Sequence, residues 1–333
     1  MSEAIYSGAY RPLDLERLVV LVNPVTTNAN MWQQHVDDFA EIPKFRKPHI
    51  ITTEQKTEDT VDKMAHDVRE GDLIYVWSGD GGTNDAIQFV GSREAPNVGV
   101  MASEAGDARN FRKATIDDVW DGRPSEVLKH GRFTSVCPLR TRVEGRDNYT
   151  QLALTVVGIG AMATGAEILD EPKHRNHPLR QNLHTRLLYQ KYLALKALPK
   201  IHDLHVEDSS GEPMTVAEVM AVNAPLIAKE FKFDTQIDDP DFLVGIIRSA
   251  NIIRLTRAIM SMRKAELPVC RISDETESVS FHLIDSEQNQ HARIHLDGKA
   301  RVLAPGSHVT IDQVTGMDRS HQPISTITSR LAA

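Results

Sequence analysis

Residues 73–76, Leu-Ile-Tyr-Val, run through Trp77 into Ser78-Gly79-Asp80-Gly81-Gly82, and this junction constrains the fold more than any other stretch. Four apolar residues without alternation suit a strand covered on both faces, as in a parallel sheet. Neither a strand nor a helix interior favours the glycine-rich continuation, so a turn follows, and residues 83–90 read as a helix after it. In such a strand-turn-helix unit the glycines let the backbone approach an anion, and the helix N-terminus favours negative charge. Asp80 is the exception. A carboxylate beside phosphates repels them unless it holds Mg²⁺ or takes a proton from an attacking hydroxyl. The plainer reading is an ordinary turn with Asp80 as the helix cap.

The rest of the first half repeats this pattern. Residues 18–22 form a second apolar run, ending in Asn23-Pro24, and residues 31–40 fit a helix after it. Residues 49–53 read as a strand ending in hydroxyls, and 58–70 as a helix with Val61, Met64, Ala65 and Val68 at helical spacing. Residues 97–101 supply a further strand, followed by a loop over 102–111. Alternating units of this length imply a doubly wound, Rossmann-like α/β domain over residues 1–132, with the loops after Val22, Ile51, Trp77 and Met101 converging at the carboxyl ends of the strands. From Phe133 the texture turns β-rich, with residues 133–143 and 149–157 flanking a turn at 144–148. A second, mainly β, sandwich-like domain is expected over 133–314, and the polar tail, 315–333, is a candidate to pack back on the first. Within the second domain, small residues at 158–165 mark a close approach of backbones or a ligand, a strong helix is expected at 183–198 and another near 252–264.

Composition narrows the function classes. A chain of 333 residues, 41% hydrophobic and 25% charged, supports two cores without staples. Cys137 and Cys270 lie far apart with no metal-like spacing, which reads as buried free thiols in a reducing interior. No apolar run approaches about 18 residues, and the first residues lack the pattern of a signal peptide, so the cytoplasm is the expected compartment. A net charge of −8 argues against nucleic acid as a partner but leaves room for a local basic patch. Arg248, Arg254, Arg257, Arg263 and Lys264 crowd the helix at 252–264. That helix either lies on an anionic membrane or turns its apolar side to the core and its arginines to water. His174, His177 and His184 read as loop and surface histidines, since no cysteine or helical pairing makes them a metal set.

Taken together, the order of motifs resembles the catalytic domain family of the diacylglycerol and sphingosine kinases, including the soluble bacterial lipid kinases. The family's Asn-Pro after strand one is Asn23-Pro24, and its hydroxyl after strand two falls on Thr53. Its Gly-Gly-Asp-Gly-Thr signature and following Asn-Glu lie over Ser78-Gly79-Asp80-Gly81-Gly82-Thr83-Asn84-Asp85, with Ser in the first place as in sphingosine kinases. Its Gly-Thr-Gly-Asn-Asp-Phe motif lies loosely over residues 106–111, keeping Gly106 and Phe111. Gly158-Ile-Gly160-Ala161 is similar to its glycine-containing strand end, residues 237–241 to its metal loop, and Asp297-Gly298-Lys299 to its Asp-Gly-Glu. The NAD kinases share the Gly-Asp-Gly turn and the general architecture, and the match through 158–311 favours the lipid kinases.

The resemblance implies a transferase that moves the γ-phosphate of ATP to a lipid hydroxyl such as that of diacylglycerol, with Mg²⁺ as the metal. It implies Asp80 as the catalytic base. It places Asn23, Pro24, Thr53, Ser78, Gly79, Gly81, Gly82, Thr83, Gly106 and Asp107 at the nucleotide, and Asp85, Gly158, Gly160 and Lys299 at the acceptor cleft. Asp238 and Asp239 are its candidate metal ligands, or else part of a surface turn ending in Pro240. A lipid at a membrane surface, on the inner face, and a second copy of the chain are the candidate partners. Three departures have physical consequences. Gly82 removes a hydroxyl worth ~1 kcal/mol. Asp107 sets a carboxylate where phosphate would lie, a repulsion of roughly 4 kcal/mol at an effective dielectric near 20. Lys299 replaces a Glu with an ammonium that cannot coordinate Mg²⁺. The alternative is therefore a nucleotide- or lipid-binding protein of the same fold with weakened transfer.

Overall fold

Leu18, Val19, Val20 and Leu21 are wholly buried, as are Leu73, Ile74 and Val76. The two unalternating runs thus have both faces covered, which is the condition for a central parallel sheet. The computed structural model describes residues 15–26, 31–54, 56–91, 98–105, 110–116, 123–130, 132–175, 177–181, 185–227, 231–237, 241–249, 251–272, 278–314 and 324–328. The chain divides into two units, one of residues 1–138 with 236–239 and 314–333, the other of residues 139–235 with 240–313.

The first unit runs β1 (Arg17–Val22), α1 (Trp32–Phe39), β2 (His49–Thr52), α2 (Thr57–Asp67), β3 (Asp72–Trp77), α3 (Asp80–Gly91), β4 (Gly99–Ala102), α4 (Asn110–Thr115), α5 (Pro124–His130) and β5 (Arg132–Val136). Strands β2, β1, β3 and β4 are parallel neighbours, with Val22 opposite both Thr52 and Trp77. Val20, Val22, Tyr75 and Trp77 pack with Phe39 of α1 and Val127 of α5 on one face. Ile324–Thr328, from the end of the chain, lies between β4 and β5, parallel to the first and antiparallel to the second. The change of texture near Phe133 is therefore the edge of the first sheet, and the second unit opens at Leu139.

The second unit continues with β6 (Leu139–Glu144), β7 (Tyr149–Ala153), β8 (Val156–Gly160), α6 (Ala161–Asp170), α7 (Pro172–Arg175), α8 (Pro178–Gln181), α9 (Arg186–Ala197), β9 (Leu204–Asp208) and β10 (Pro213–Val216). There follow β11 (Glu218–Val222), β12 (Leu226–Ile227), β13 (Phe231–Lys232), β14 (Phe242–Ile247), α10 (Ile252–Lys264), β15 (Val269–Ile272), β16 (Val279–Leu283), β17 (Arg293–Leu296), β18 (Lys299–Val302) and β19 (His308–Gln313); Ile324–Thr328 is β20. Two six-stranded sheets, in the orders β10-β9-β16-β19-β6-β7 and β15-β14-β11-β8-β17-β18, pair antiparallel and share one core. Val309 and Phe281 from one meet Ile159, Ala221 and Ile294 from the other.

Three local expectations change. The small residues after Gly160 open α6 instead of marking a close approach, since a Cβ on Gly165 would meet nothing within 4 Å, and Gly160 at φ 120° is the corner into that helix. His174 is no surface residue: it is 9% exposed, and its Nδ1 lies 2.8 Å from the Tyr189 hydroxyl, while the His177 ring stacks on Tyr189 at 4.3 Å. His184 lies outside the described residues. Cys137 is buried as expected, but Cys270 is exposed on the edge strand β15.

Candidate active site

The carboxyl ends of the four parallel strands are tied in a row by their own backbones. Asn23 N–H donates to the Trp77 carbonyl at 3.0 Å, Thr53 N–H to that of Val22 at 2.9 Å, and Ser103 N–H to that of Val76 at 3.0 Å. Asn23, Thr53 and Ser78 are thereby brought to one edge, where ligands of open α/β sheets bind. The Asn23 Nδ2 donates to Ser78 Oγ at 3.4 Å, and its Oδ1 accepts Val25 N–H at 3.1 Å, which turns the chain away at the exposed Pro24.

Helix α3 begins at Asp80, three residues earlier than the sequence suggests, because the glycine turn is already its first turn: Gly82 N–H and Thr83 N–H both donate to the Gly79 carbonyl, at 3.1 and 3.2 Å. This settles Thr83 inside the helix. Its hydroxyl also donates to Gly79, at 3.3 Å, and it is buried, so its polar groups serve the turn. Asp85 is 2% exposed in the second turn of α3, away from solvent. Gly79, Asp80 and Gly81 remain half-buried at the mouth. One Asp80 oxygen accepts Phe111 N–H from α4 at 3.4 Å, so this carboxylate joins the starts of two helices. Gly106, Asp107, Asp238 and Asp239 lie outside the described residues.

Gly82 has a steric explanation that the sequence did not provide. A Cβ added there would stand 2.2 Å from Ser78 Oγ and 2.5 Å from Ser78 Cβ. Rotation of the hydroxyl cannot relieve the second contact, so residues 78 and 82 cannot both carry a side chain on this backbone. The hydroxyl missing at 82 is matched by one at 78. Gly82→Thr alone is expected to cost about 1–3 kcal/mol by overpacking, and adding Ser78→Gly should recover most of that loss in a thermal melt. Equal destabilisation of single and double variants would refute the pairing.

Behind the turn, buried His35 of α1 joins the Tyr75 hydroxyl, 3.1 Å from Nδ1, to Glu104 in the loop after β4, 2.9 Å from Nε2. Burial pushes the Glu104 carboxyl up, but the His35 hydrogen bond and charge, with the Glu104 backbone and Arg112, outweigh it and hold the group low. This support of the loop was missed in the sequence because His35 sits amid polar neighbours in α1.

In the second unit the glycines answer to their own neighbours. A Cβ on Gly158 would meet His295 Nε2 at 2.3 Å and Glu218 Oε1 at 2.5 Å, and one on Gly160 the Ala217 carbonyl at 2.3 Å. Asp297 and Gly298, at φ 47° and 89°, form the two-residue turn joining β17 to β18. The Asp297 carboxylate accepts from Leu154 N–H, Thr155 N–H, Thr155 Oγ1 and Val156 N–H at 2.6–3.1 Å. It pins the chain where β8 begins, and Lys299 follows, half-buried, as the first residue of β18.

The fold has solved counterparts. A proposed diacylglycerol kinase from Bacillus anthracis str. Sterne matches with a TM-score of 0.63 at 15% identity, over 94% of this chain and 97% of that one. A further structure, of a diacylglycerol kinase from the same organism, gives 0.61 at 14% over the same shares. The fold is that of the diacylglycerol kinases. Yeast NADH kinase complexed with NADH is similar at a TM-score of 0.52 and 11% identity, over 95% of this chain and 84% of that one. No protein-family model and no curated protein sequence matches the chain. A diacylglycerol-kinase fold carries the Gly79-Asp80-Gly81 turn at the carboxyl edge of its first sheet, where the loops of four strands meet.

Proposed function

We propose that this chain is a kinase that transfers the γ-phosphoryl group of ATP to the hydroxyl of a lipid such as diacylglycerol. The observation that carries the reading is the Asp80 carboxylate, half-buried in a glycine turn whose Ser78 meets Asn23 and whose Gly82 faces Ser78 and Thr53. Asp80 takes the proton of the acceptor hydroxyl as its oxygen bonds to phosphorus and the bond from phosphorus to ADP breaks; the proton passes from Asp80 to solvent. Asn23, Thr53 and Ser78 orient the nucleotide, and the start of α3 favours its charge.

Among the described residues no three His, Cys, Asp or Glu side chains gather to hold a metal. Mg²⁺ in kinases rests on one or two carboxylates plus the phosphates of the substrate, so Asp80 fits a metal that arrives with ATP. Bound there, it would neutralise charge on the transferred group.

The reading is tested by Mg²⁺-dependent ADP formation over a panel of lipid acceptors in detergent micelles. Turnover that needs both ATP and one acceptor class supports it; an ATP-induced rise in melting temperature with no acceptor-dependent ADP would overturn it in favour of a binding protein. That second reading draws on Lys299, an ammonium next to a turn whose aspartate holds residues 154–156.

A further inference from the structure

Helix α10 presents an unusual outer face. Leu255, Ala258 and Met262 are buried at 5%, 9% and 2%, which fixes the inner side of the helix. Directly opposite, at steps of four, three and four residues, stand Ile253, Arg257, Met260 and Lys264, so one outward ridge alternates apolar, basic, apolar, basic. Ile253 is 61% exposed and Met260 47%. The helix holds Arg254, Arg257, Arg263 and Lys264 and no acidic residue, in a chain of net charge −8. Arg257 and Lys264 form no ion pair among the described residues, and the exposed Glu266 follows only after the helix has ended at Ala265. Asn251 caps the first turn, accepting Ile253 N–H at 2.9 Å, and Arg254 donates to the Arg248 carbonyl at 3.3 Å, so the ridge is held in register from its start.

We propose that this ridge docks the protein on a bilayer with anionic head groups. An acidic protein would satisfy the arginines but leave Ile253 and Met260 in water. A lipid surface takes both, since the apolar side chains enter the head-group boundary while Arg257 and Lys264 rest on the phosphates. The local charge is opposite in sign to the chain as a whole, which orients the second unit with α10 toward the membrane. For its purpose this inference rests on the lipid-kinase reading, but docking itself is measured without nucleotide or acceptor.

The experiment is co-sedimentation of the full chain with phosphatidylcholine vesicles, with and without phosphatidylglycerol, at low and high salt. Binding is expected with phosphatidylglycerol only, and weaker in salt. Replacing Arg257 and Lys264 by Ser should weaken it about twenty-fivefold, or about fivefold per charge. Replacing Ile253 and Met260 by Ser should weaken it roughly tenfold at unchanged charge. All four positions are exposed, so unchanged melting temperatures serve as the folding control. Absence of binding to phosphatidylglycerol vesicles, binding indifferent to both pairs of substitutions, or retention on polyglutamate without vesicle binding would overturn the proposal. Vesicle binding without lipid-dependent ADP formation would sink the kinase reading and leave the docking surface standing.

Discussion

Asp80→Asn is expected to lower lipid-dependent turnover by roughly 10²–10⁴-fold and to leave the melting temperature unchanged. The two expectations separate chemistry from structure because the amide keeps what the carboxylate does for the fold. Its Oδ1 can still accept Phe111 N–H, the contact that joins the starts of α3 and α4. It loses the basicity needed to take the acceptor proton and the charge needed to share a metal with phosphates. Affinity for metal-free ATP should hold or rise, since a negative charge beside the phosphates is gone, while Mg²⁺ should strengthen ATP binding less than in the parent. Asp80→Ala is the complementary variant: it loses the acceptor as well, so it should lower activity similarly and stability by about 1 kcal/mol. If Asp80 were only a cap, the order would invert, with Asp80→Asn fully active and Asp80→Ala merely less stable. A fully active Asp80→Asn enzyme would remove Asp80 from the catalytic role.

The sequence carried the first sheet and its turn plainly, because that signal is local. Runs such as residues 18–21 and 73–76 are apolar without alternation, and only a doubly covered strand buries them all. Other features depend on partners distant in the chain. Three of the five residues of Ile324–Thr328 bear hydroxyls and the stretch reads as tail; its place between β4 and β5 comes from pairing with residues some two hundred positions earlier. The Ser78 and Gly82 exchange is adjacent in sequence, yet reads as a lost hydroxyl until the distance between the two positions is known. Asp297-Gly298 could have been found from its turn chemistry alone, since an Asp-Gly pair between short strands is a hairpin signal. Its resemblance to a kinase motif drew attention to the ligand side instead. The exposed ridge of α10 was half legible: the basic residues were evident, but which apolar residues face inward depends on packing, and Ile253 and Met260 face out.

A marked dependence of stability on pH is expected from a pair that no motif marks. Glu218 on β11 is completely buried; Oε2 accepts Met162 N–H at 2.8 Å, while Oε1 has no partner. Burial pushes its pKa up to about 8, against which the hydrogen bonds from Met162 and Ala161 pull only weakly. His295, 3% exposed across Gly158, has neither ring nitrogen bonded and is pushed by burial down to about 4. Both are therefore neutral in the folded protein near pH 6. For Glu218 the folded value lies above the unfolded 4.5, so its contribution is complete below that pH and is lost as pH rises toward about 8. For His295 the folded value lies below the unfolded 6.5, so its contribution is complete above that pH and is lost as pH falls toward about 4. Between 4.5 and 6.5 the two slopes oppose and cancel, giving a plateau. Above it only the Glu218 slope remains, about 1.4 kcal/mol per pH unit, or roughly 2 kcal/mol by pH 8. Glu218→Gln keeps the acceptor for Met162 N–H and removes the titration, so urea unfolding at several pH values should lose the alkaline fall that the parent shows. An equal fall in both proteins would assign the slope to other groups and leave Glu218 ionised in its buried site.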